Sequence, residues 1–382
     1  MSGGVDGWLA TAVRRAGSDL HLDPLTDGAV VRLRIDGVLH EIARLSAGEF
    51  DAAREELTQR LRLTDGALLG AGRFRAEPGG RRIEVRGSLA PTLHGPRYCL
   101  RLVDRDQALL SWDTIFHRPA NSAAARRLLR RPNGLILVAG PAGSGKGVVA
   151  ARLLDELAGE RLNAMSVEDP VEFDLDWVAQ ASVDRDRGLT PPALLRAVLG
   201  QDPDVLMVGD LPDEETARLA VEATTTGRLV IACVPAVDCL SALAWLREMG
   251  VPAWSLGAAY SGGVAVRLVR RVCHDCAVQL PPKSASAMMA LGLDGLVETV
   301  TVGQGCDSCE GTGYSGRAPL VEVVESTQAL NDAIGRDAPR DVLEELAFSP
   351  NLPPFRQQAA EMVTRALTTP DEAYRALYSV LS

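Results

Sequence analysis

Residues 134–157 read GLILVAGPAGSGKGVVAARLLDEL. GLILVA is an uninterrupted apolar run of strand length, and KGVVAARLLDEL has helical periodicity. Between them Gly140, Pro141, Ala142, Gly143, Ser144, Gly145 and Lys146 fill the pattern G-x-x-x-x-G-K. In such a loop successive backbone N–H groups point inward onto a phosphate and the lysine adds a point charge. The last position of the pattern asks for a Ser or Thr hydroxyl, which ligates Mg²⁺ beside a bound triphosphate; here it is Gly147. The stretch predicts a strand, a phosphate cradle and a helix, and it separates holding a nucleotide from splitting it.

Outward from the loop the pattern repeats. DVLMVGD (204–210) and GRLVIACV (227–234) read as further buried strands, the former preceded by a helix over 191–200. Strands alternating with helices predict a parallel sheet covered on both faces. Upstream, the period-2 run 29–45 turns at Asp36-Gly37 and reads as a hairpin. A helix follows, with Ser46 as N-cap and Glu49 three residues on. Residues 72–104 offer three short strands punctuated by Pro78-Gly79 and His94-Gly95, and NSAAARRLLRR (121–131) reads as a helix. The end of the chain, 326–382, reads as helices.

Composition sets bounds on function. The 382 residues carry a formal charge of −10, which argues against a general electrostatic attraction to nucleic acid or anionic lipid. No run approaches the length of a membrane-spanning helix, and the first residues lack the pattern of a secretory signal. The reading is a soluble cytosolic protein whose seven cysteines are thiols or metal ligands rather than disulfides.

Four separated blocks then bring a family into view. SDLHLDP (18–24) with VRLRIDGVL (31–39), SVEDPVEF (166–173), QDPDVLMVGD (201–210) and paired C-x-x-C follow one another in order. They resemble the secretion motor ATPases of type II secretion and type IV pilus systems, from about residue 8 to LTTPDEAYRAL near the end. The chain begins close to the second domain of the larger members. The resemblance implies a hexameric ring on the cytoplasmic face of an inner-membrane platform protein, with ATP and Mg²⁺ as cofactors.

Carried over position by position, the resemblance places Glu168 and Asp169 near the metal and the attacking water. Other positions depart from the family. Where it has a glutamate after M-V-G this chain has Asp210, one methylene shorter, and a misplaced carboxylate of that kind costs about 100-fold in rate. Pro212 replaces an arginine, while Asp213, Glu215 and Thr216 match. The family's G-H-L-V-x-S-T-L-H-T-N becomes GRLVIACVPAV, so Arg228 and Pro235 replace histidines and Ala232 and Cys233 replace hydroxyl residues. Arg228 is read either as a phosphate contact or as a solvated arginine at a strand start. Arg86 and Arg101 match family arginines that reach a nucleotide from the N-terminal domain, and Arg73 stands nearest a third.

Cys273, Cys276, Cys306 and Cys309 form two C-x-x-C knuckles separated by 29 residues, a set suited to tetrahedral Zn²⁺ in a structural role. The interval matches the larger motor ATPases, as does GTGYSGR (311–317). His274 is read as exposed, and Cys99, Cys233 and Cys239 as core thiols.

The expected architecture is α/β: a RecA-like P-loop core with a small α+β (PAS-like) N-terminal domain and a zinc-binding insertion. The expected divisions are 1–105 for the first domain, 106–120 for a linker, 121–325 for the core including a ribbon at 270–317, and 326–382 for terminal helices. The expected function is a nucleotide-binding, weakly hydrolysing subunit in a homo- or hetero-hexamer with a paralogous ATPase. Glu168 and Asp210 are its catalytic candidates, and it works at the inner membrane without nucleic acid. Two alternatives stand beside it: a working motor, and a zinc-dependent nucleic-acid module, against which the acidic charge counts.

Overall fold

The computed structural model of the protein describes residues 4–64, 68–104, 109–159 and 161–378. It falls into two compact units, Met1–Ala108 and Leu109–Ser382. The expected domain end and linker start at 105–108, and the last residues 379–382, lie outside the described residues.

The first unit is built on strands β1 (Asp19–Leu25), β2 (Gly28–Ile35), β3 (Val38–Ser46), β4 (Gly70–Ala76), β5 (Ile83–Thr92) and β6 (Gly95–Asp104). They form one antiparallel sheet in the order β3-β2-β1-β6-β5-β4. The Asp36-Gly37 turn joins β2 to β3 with positive φ at both residues, 47° and 85°, as a tight hairpin requires. Ser46 and Glu49 complete a reciprocal cap on the helix Ala47–Arg60. That helix and Val5–Arg14 cover one face, burying Trp8, Leu9 and Leu57 against Leu20, Leu33, Val85 and Leu100. The strand period of two sends the intervening residues to the opposite, polar face. Cys99, between buried Tyr98 and Leu100, therefore belongs to the polar face beside His21 and is half-buried, not a core thiol.

The second unit carries β7 (Gly134–Ala139), β8 (Ala164–Glu168), β9 (Val178–Ser182), β10 (Val205–Val208), β11 (Leu229–Val234), β12 (Tyr260–Val272), β13 (Ala277–Leu280), β14 (Val300–Gly303) and β15 (Tyr314–Glu325). Seven of them form a sheet in the order β15-β12-β7-β11-β10-β8-β9, parallel except for β15. All residues of β7 are buried. Leu135, Leu137 and Ala139 pack into one layer with Leu206, Val208 and Val230, while Ile136 and Val138 pack into the other with Val149, Leu153 and Leu154. Both faces are thus covered by helices, as the apolar runs predict.

Two features go beyond the sequence reading. Within the expected linker, a helical turn at Trp112–Ile115 buries Trp112, Ile115 and Phe116 in the second unit's core. The strands β12 and β15 form a long antiparallel pair, Gly262 opposite Glu325 through Val272 opposite Tyr314. The β13–β14 pair and its cysteines lie in the excursion between them. The terminal helices Phe355–Thr364 and Pro370–Tyr378 pack back on this pair through Met362, Val363 and Ala373.

Candidate nucleotide site and cysteine cluster

The loop 140–147 leaves the C-terminal end of β7 and enters the helix Lys146–Leu157. Its start is pinned to the sheet where Gly140 N–H donates to the Val234 carbonyl at 3.2 Å. Gly143 and Gly145 adopt φ of 74° and 88°, a left-handed backbone that side chains resist and that turns the loop over the helix start. Ser144 is only 5 % exposed, and its hydroxyl has no partner among the described residues. It lies under Gly140, 2.2 Å from the point where a Cβ there would sit. Lys146, half-buried, opens the helix.

The carboxylates gather at the ends of the neighbouring strands. Glu168 closes β8, buried, and accepts from Ser166 Oγ at 2.6 Å and Gln180 Nε2 at 3.0 Å. Burial raises its pKa, against the pull of these donors. Asp169 is exposed and pairs with Arg185 at 2.6 Å. Asp210, exposed beyond β10, accepts from the Leu211 N–H at 3.0 Å. Glu168, Asp169, Arg185 and Asp210 line one cleft of about 20 Å³, room for a single water. Asp213 caps the helix Glu214–Thr225 through Thr216, a structural use of two residues that match the family.

Glu172, Gln180 and Ser166 were not singled out by the sequence. Ser166 and Glu172 flank the acidic pair within SVEDPVEF, but Gln180 on the edge strand carried no signal. Glu172 Oε2 lies 3.3 Å from the position a Cβ would take on Gly147.

The remaining departures fall at opposite ends of β11. Cys233 is fully buried opposite Val138, and burial pushes its thiol up to about 12, countered by Lys146 and reinforced by Asp210, Glu168 and Glu172. The loop lysine and three carboxylates therefore converge on this strand end. Pro235 follows, exposed and without a proton to exchange. Arg228 sits at the other rim: its carbonyl accepts from Gly134 N–H, at the start of β7, and its guanidinium donates to Thr226. The six residues of β7 separate it from the loop by about 20 Å, which favours the strand-start arginine of its two readings.

In the first unit, Arg86 on β5 stands opposite Arg101 on β6, and Arg73 on β4 stands opposite Arg86. Arg101 also faces Asp19 on β1, and Asp19 faces Arg34 on β2. These residues cross the polar face of the sheet in a single line. Glu84 partners Arg86 at 3.2 Å. Beside the line, His21 shares Arg97 with Asp23.

The sulfurs of Cys273, Cys276, Cys306 and Cys309 lie within 4.8 Å of one another. The separations are 3.8 Å for 273–306, 3.9 Å for 276–309 and 3.7 Å for 306–309. Four thiolates about 2.3 Å from a central Zn²⁺ would form a tetrahedron with edges of about 3.8 Å, so the set fits that ion. Burial opposes the Cys309 thiolate, but N–H groups of Cys306 and Gly313 outweigh it and hold the thiol down to about 6. Gly303 and Gly313 let the two knuckles meet, since a Cβ on either would fall within 2.4 Å of the other's carbonyl. At the base of this insertion Arg270 stacks 4.3 Å from the Tyr314 ring and pairs with Glu372. His274 is fully exposed and outside the set.

Comparison with known proteins agrees with this architecture. The family described as "Type II/IV secretion system protein" matches residues 4–375. Type II secretion system protein E of Aeromonas hydrophila is 33% identical over 375 residues, covering 97% of this chain and 74% of that protein. The type IV pilus assembly ATPase PilB of Thermus thermophilus is 32% identical over 360 residues, covering 93% of this chain and 40% of PilB. The crystal structure of the pilus retraction motor PilT with bound ADP is similar in fold, with TM-score 0.65 and 20% identity over 98% of this chain and 97% of that one. Among the described residues no helix is long and apolar enough to cross a membrane. A match that runs almost from end to end identifies the chain as a member of the type II/IV secretion system protein family, to which the type II secretion and type IV pilus ATPases belong.

Proposed function

We propose that this chain is a nucleotide-binding subunit of a type II secretion or type IV pilus assembly that turns ATP over slowly or not at all. One observation carries the reading. Around the loop the groups that would hold the ion or move a proton are missing: Gly147 brings no hydroxyl to the helix start, and Pro235 after β11 has no proton to exchange. Glu168 is buried and tied through its Oε1 to Ser166 and Gln180. Its neighbour Asp210 is the shorter acid and already accepts from Leu211. Loss of a positioned acid–base group costs about 10²–10⁴ in rate. Pro235 and Arg228 supply no replacement.

The binding elements support capture of ATP with Mg²⁺. Gly140 to Gly147 form the cradle, Lys146 is its charge, and Arg86 and Arg101 are contacts offered to a nucleotide. The cysteines would hold Zn²⁺ and brace the insertion. The same reading treats 1–105, 121–325 and 326–382 as the working divisions, and assigns the chain a regulatory or structural place in a hexameric ring. That ring would contain an active paralogue and face a platform protein at the cytoplasmic side of the inner membrane. Phosphate release measured beside nucleotide affinity tests the reading. Tight binding with turnover near background is expected; motor-like turnover abolished by Lys146→Ala would refute it.

A second reading, an active motor, draws on the cleft shared by Glu168 and Asp210, which has room for one water. Asp210→Asn separates the two. It should silence a working motor and leave an idle subunit unchanged.

A further inference from the structure

We infer that the second unit carries an anion site apart from the phosphate loop, formed by His117, Arg118 and Arg365, and that its ligand is a small phosphate-bearing dianion. The inference goes beyond the nucleotide reading and does not depend on it.

The three residues come from distant stretches of chain. His117 and Arg118 stand between the helical turn Trp112–Ile115 and the helix Pro119–Leu129, in the stretch read from sequence as a linker, and Arg365 follows the helix Phe355–Thr364. With Pro119, Ala120 and Glu361 they line a cavity of about 270 Å³. A water takes about 30 Å³ in the liquid, so the cavity has room for a phosphate group with a small organic part or a shell of waters. Both walls are fixed from behind. Trp112, Ile115 and Phe116 anchor one wall in the core, and Met362 and Val363 anchor the other. Asn121 Nδ2 ties the two together by donating to Gln358 Oε1 at 3.1 Å. The site is therefore assembled by the fold.

Charge decides what fits. Among the lining residues Glu361 is the one carboxylate, and Arg118 donates to it. The Arg118 side chain is 17 % exposed, and its Nε is enclosed without a partner among the described residues. No hydrogen bond or ion pair holds the side chain of His117 or Arg365 among the described residues. Two guanidiniums against one carboxylate leave one positive charge, and a protonated His117 makes two. A dianion balances that pair, and guanidinium forks match the oxygens of phosphate. The start of the helix Pro119–Leu129, on the same wall, adds its positive end to the side chains that carry the site.

The imidazole gives the site a signature. The protein packed around His117 and the guanidiniums of Arg118 and Arg365 lower its pKa, while Glu361 pulls the other way. A bound dianion favours the protonated ring. Ligand and proton should therefore be taken up together, and binding should tighten as pH falls.

The test uses the full chain carrying Lys146→Ala, so that the phosphate loop does not take the probe. It is titrated calorimetrically with sulfate, which stays a dianion between pH 6 and pH 8. Saturable binding is expected, about tenfold tighter at pH 6 than at pH 8, within the range of ordinary coupling between ligands. Arg365→Gln should weaken it by at least about tenfold, the worth of a hydrogen bond to a charged group. His117→Gln should keep the affinity seen at pH 8 and lose the gain at pH 6. Arg118→Gln should weaken binding as well; should that variant fail to fold, Arg365→Gln decides, since its side chain holds no partner that folding needs. Inorganic phosphate, and vesicles of phosphatidylcholine with phosphatidylglycerol, separate two sources of the same chemistry. Phosphate uptake sensitive to Arg365→Gln supports a soluble ligand, and vesicle binding with that sensitivity supports a lipid headgroup. No saturable uptake of any of the three probes, or uptake that the arginine variants leave unchanged, overturns the inference. Neither result bears on nucleotide binding by the loop, which is read separately in the natural chain.

Discussion

Arg101 on β6 stands directly opposite Arg86 on β5. Like charges at facing positions of an antiparallel pair repel and weaken the sheet. The line continues to Arg73 on one side and is interrupted by Asp19 on the other. Glu84 beside Arg86 and Asp19 opposite Arg101 offset part of that repulsion, and an anionic ligand would offset more. Arg101→Ala should leave thermal stability unchanged or raise it by about 0.2–1 kcal/mol. In the assembled protein the same change should weaken nucleotide binding by about tenfold, the worth of a hydrogen bond to a charged group. Melting curves and nucleotide titrations on one preparation check both halves, and a loss of stability with unchanged affinity would make Arg101 a structural surface residue.

Removing the lysine separates capture from folding. Among the described residues Lys146 has no side-chain partner that holds the core together, so Lys146→Ala should melt within about 0.5 kcal/mol of the parent, as surface substitutions do. ATP affinity should fall by at least about tenfold, since a charge-assisted contact to phosphate is lost. Isothermal titration beside differential scanning fluorimetry reads the two effects independently.

The cysteine set predicts a single Zn²⁺ per chain by elemental analysis. Cys276→Ser or Cys309→Ser should lose it and destabilise the insertion, with increased proteolysis between residues 277 and 305. Protons compete with metal for thiolates, so zinc should be released as pH falls. A chelator that leaves both the metal content and the protease pattern untouched would count against a structural site.

Glu322 predicts a pH dependence of stability. It is 2 % exposed on β15, and burial raises its pKa from 4.5 to about 7 although the N–H groups of Cys239 and Phe355 donate to it. A raised folded-state pKa contributes stability that is present in full below about 4.5 and is lost as pH climbs through about 7. The loss amounts to about 3 kcal/mol across that window. Glu322→Gln should remove this slope while costing about 1–3 kcal/mol at pH 5, because its amide cannot accept from both N–H groups. Urea unfolding of both proteins at pH 5 and pH 8 gives the comparison directly.

What could be read beforehand was local or strictly spaced. The strand, loop and helix around Gly140 lie within one stretch of chain, Asp36-Gly37 and Ser46 carry their own turn and cap chemistry, and the four cysteines announce themselves by spacing. The long β12–β15 pair stayed hidden because Gly262 finds Glu325 across more than sixty residues, and because buried Arg267 and Glu322 break its apolar pattern. Arg267 is satisfied by the Val237 and Ala376 carbonyls, partners that no local window contains. Arg228 stayed open between two readings because a motif fixes order along a strand, while the register of β11 against β7 shows which rim each residue occupies. Glu168 was visible as an acid in a motif, while its confinement by Gln180 depended on the pairing of β8 with β9.

A minimal fragment cut off after β15 would be a poor reagent. Glu322 would be left without the helix start at Phe355, Arg267 without the Ala376 carbonyl, and the oily seat of Met362, Val363 and Ala373 would face water. The last helices are the lid of the box that holds the sheet, and shortening the chain from that end should yield aggregates before it yields a smaller working machine.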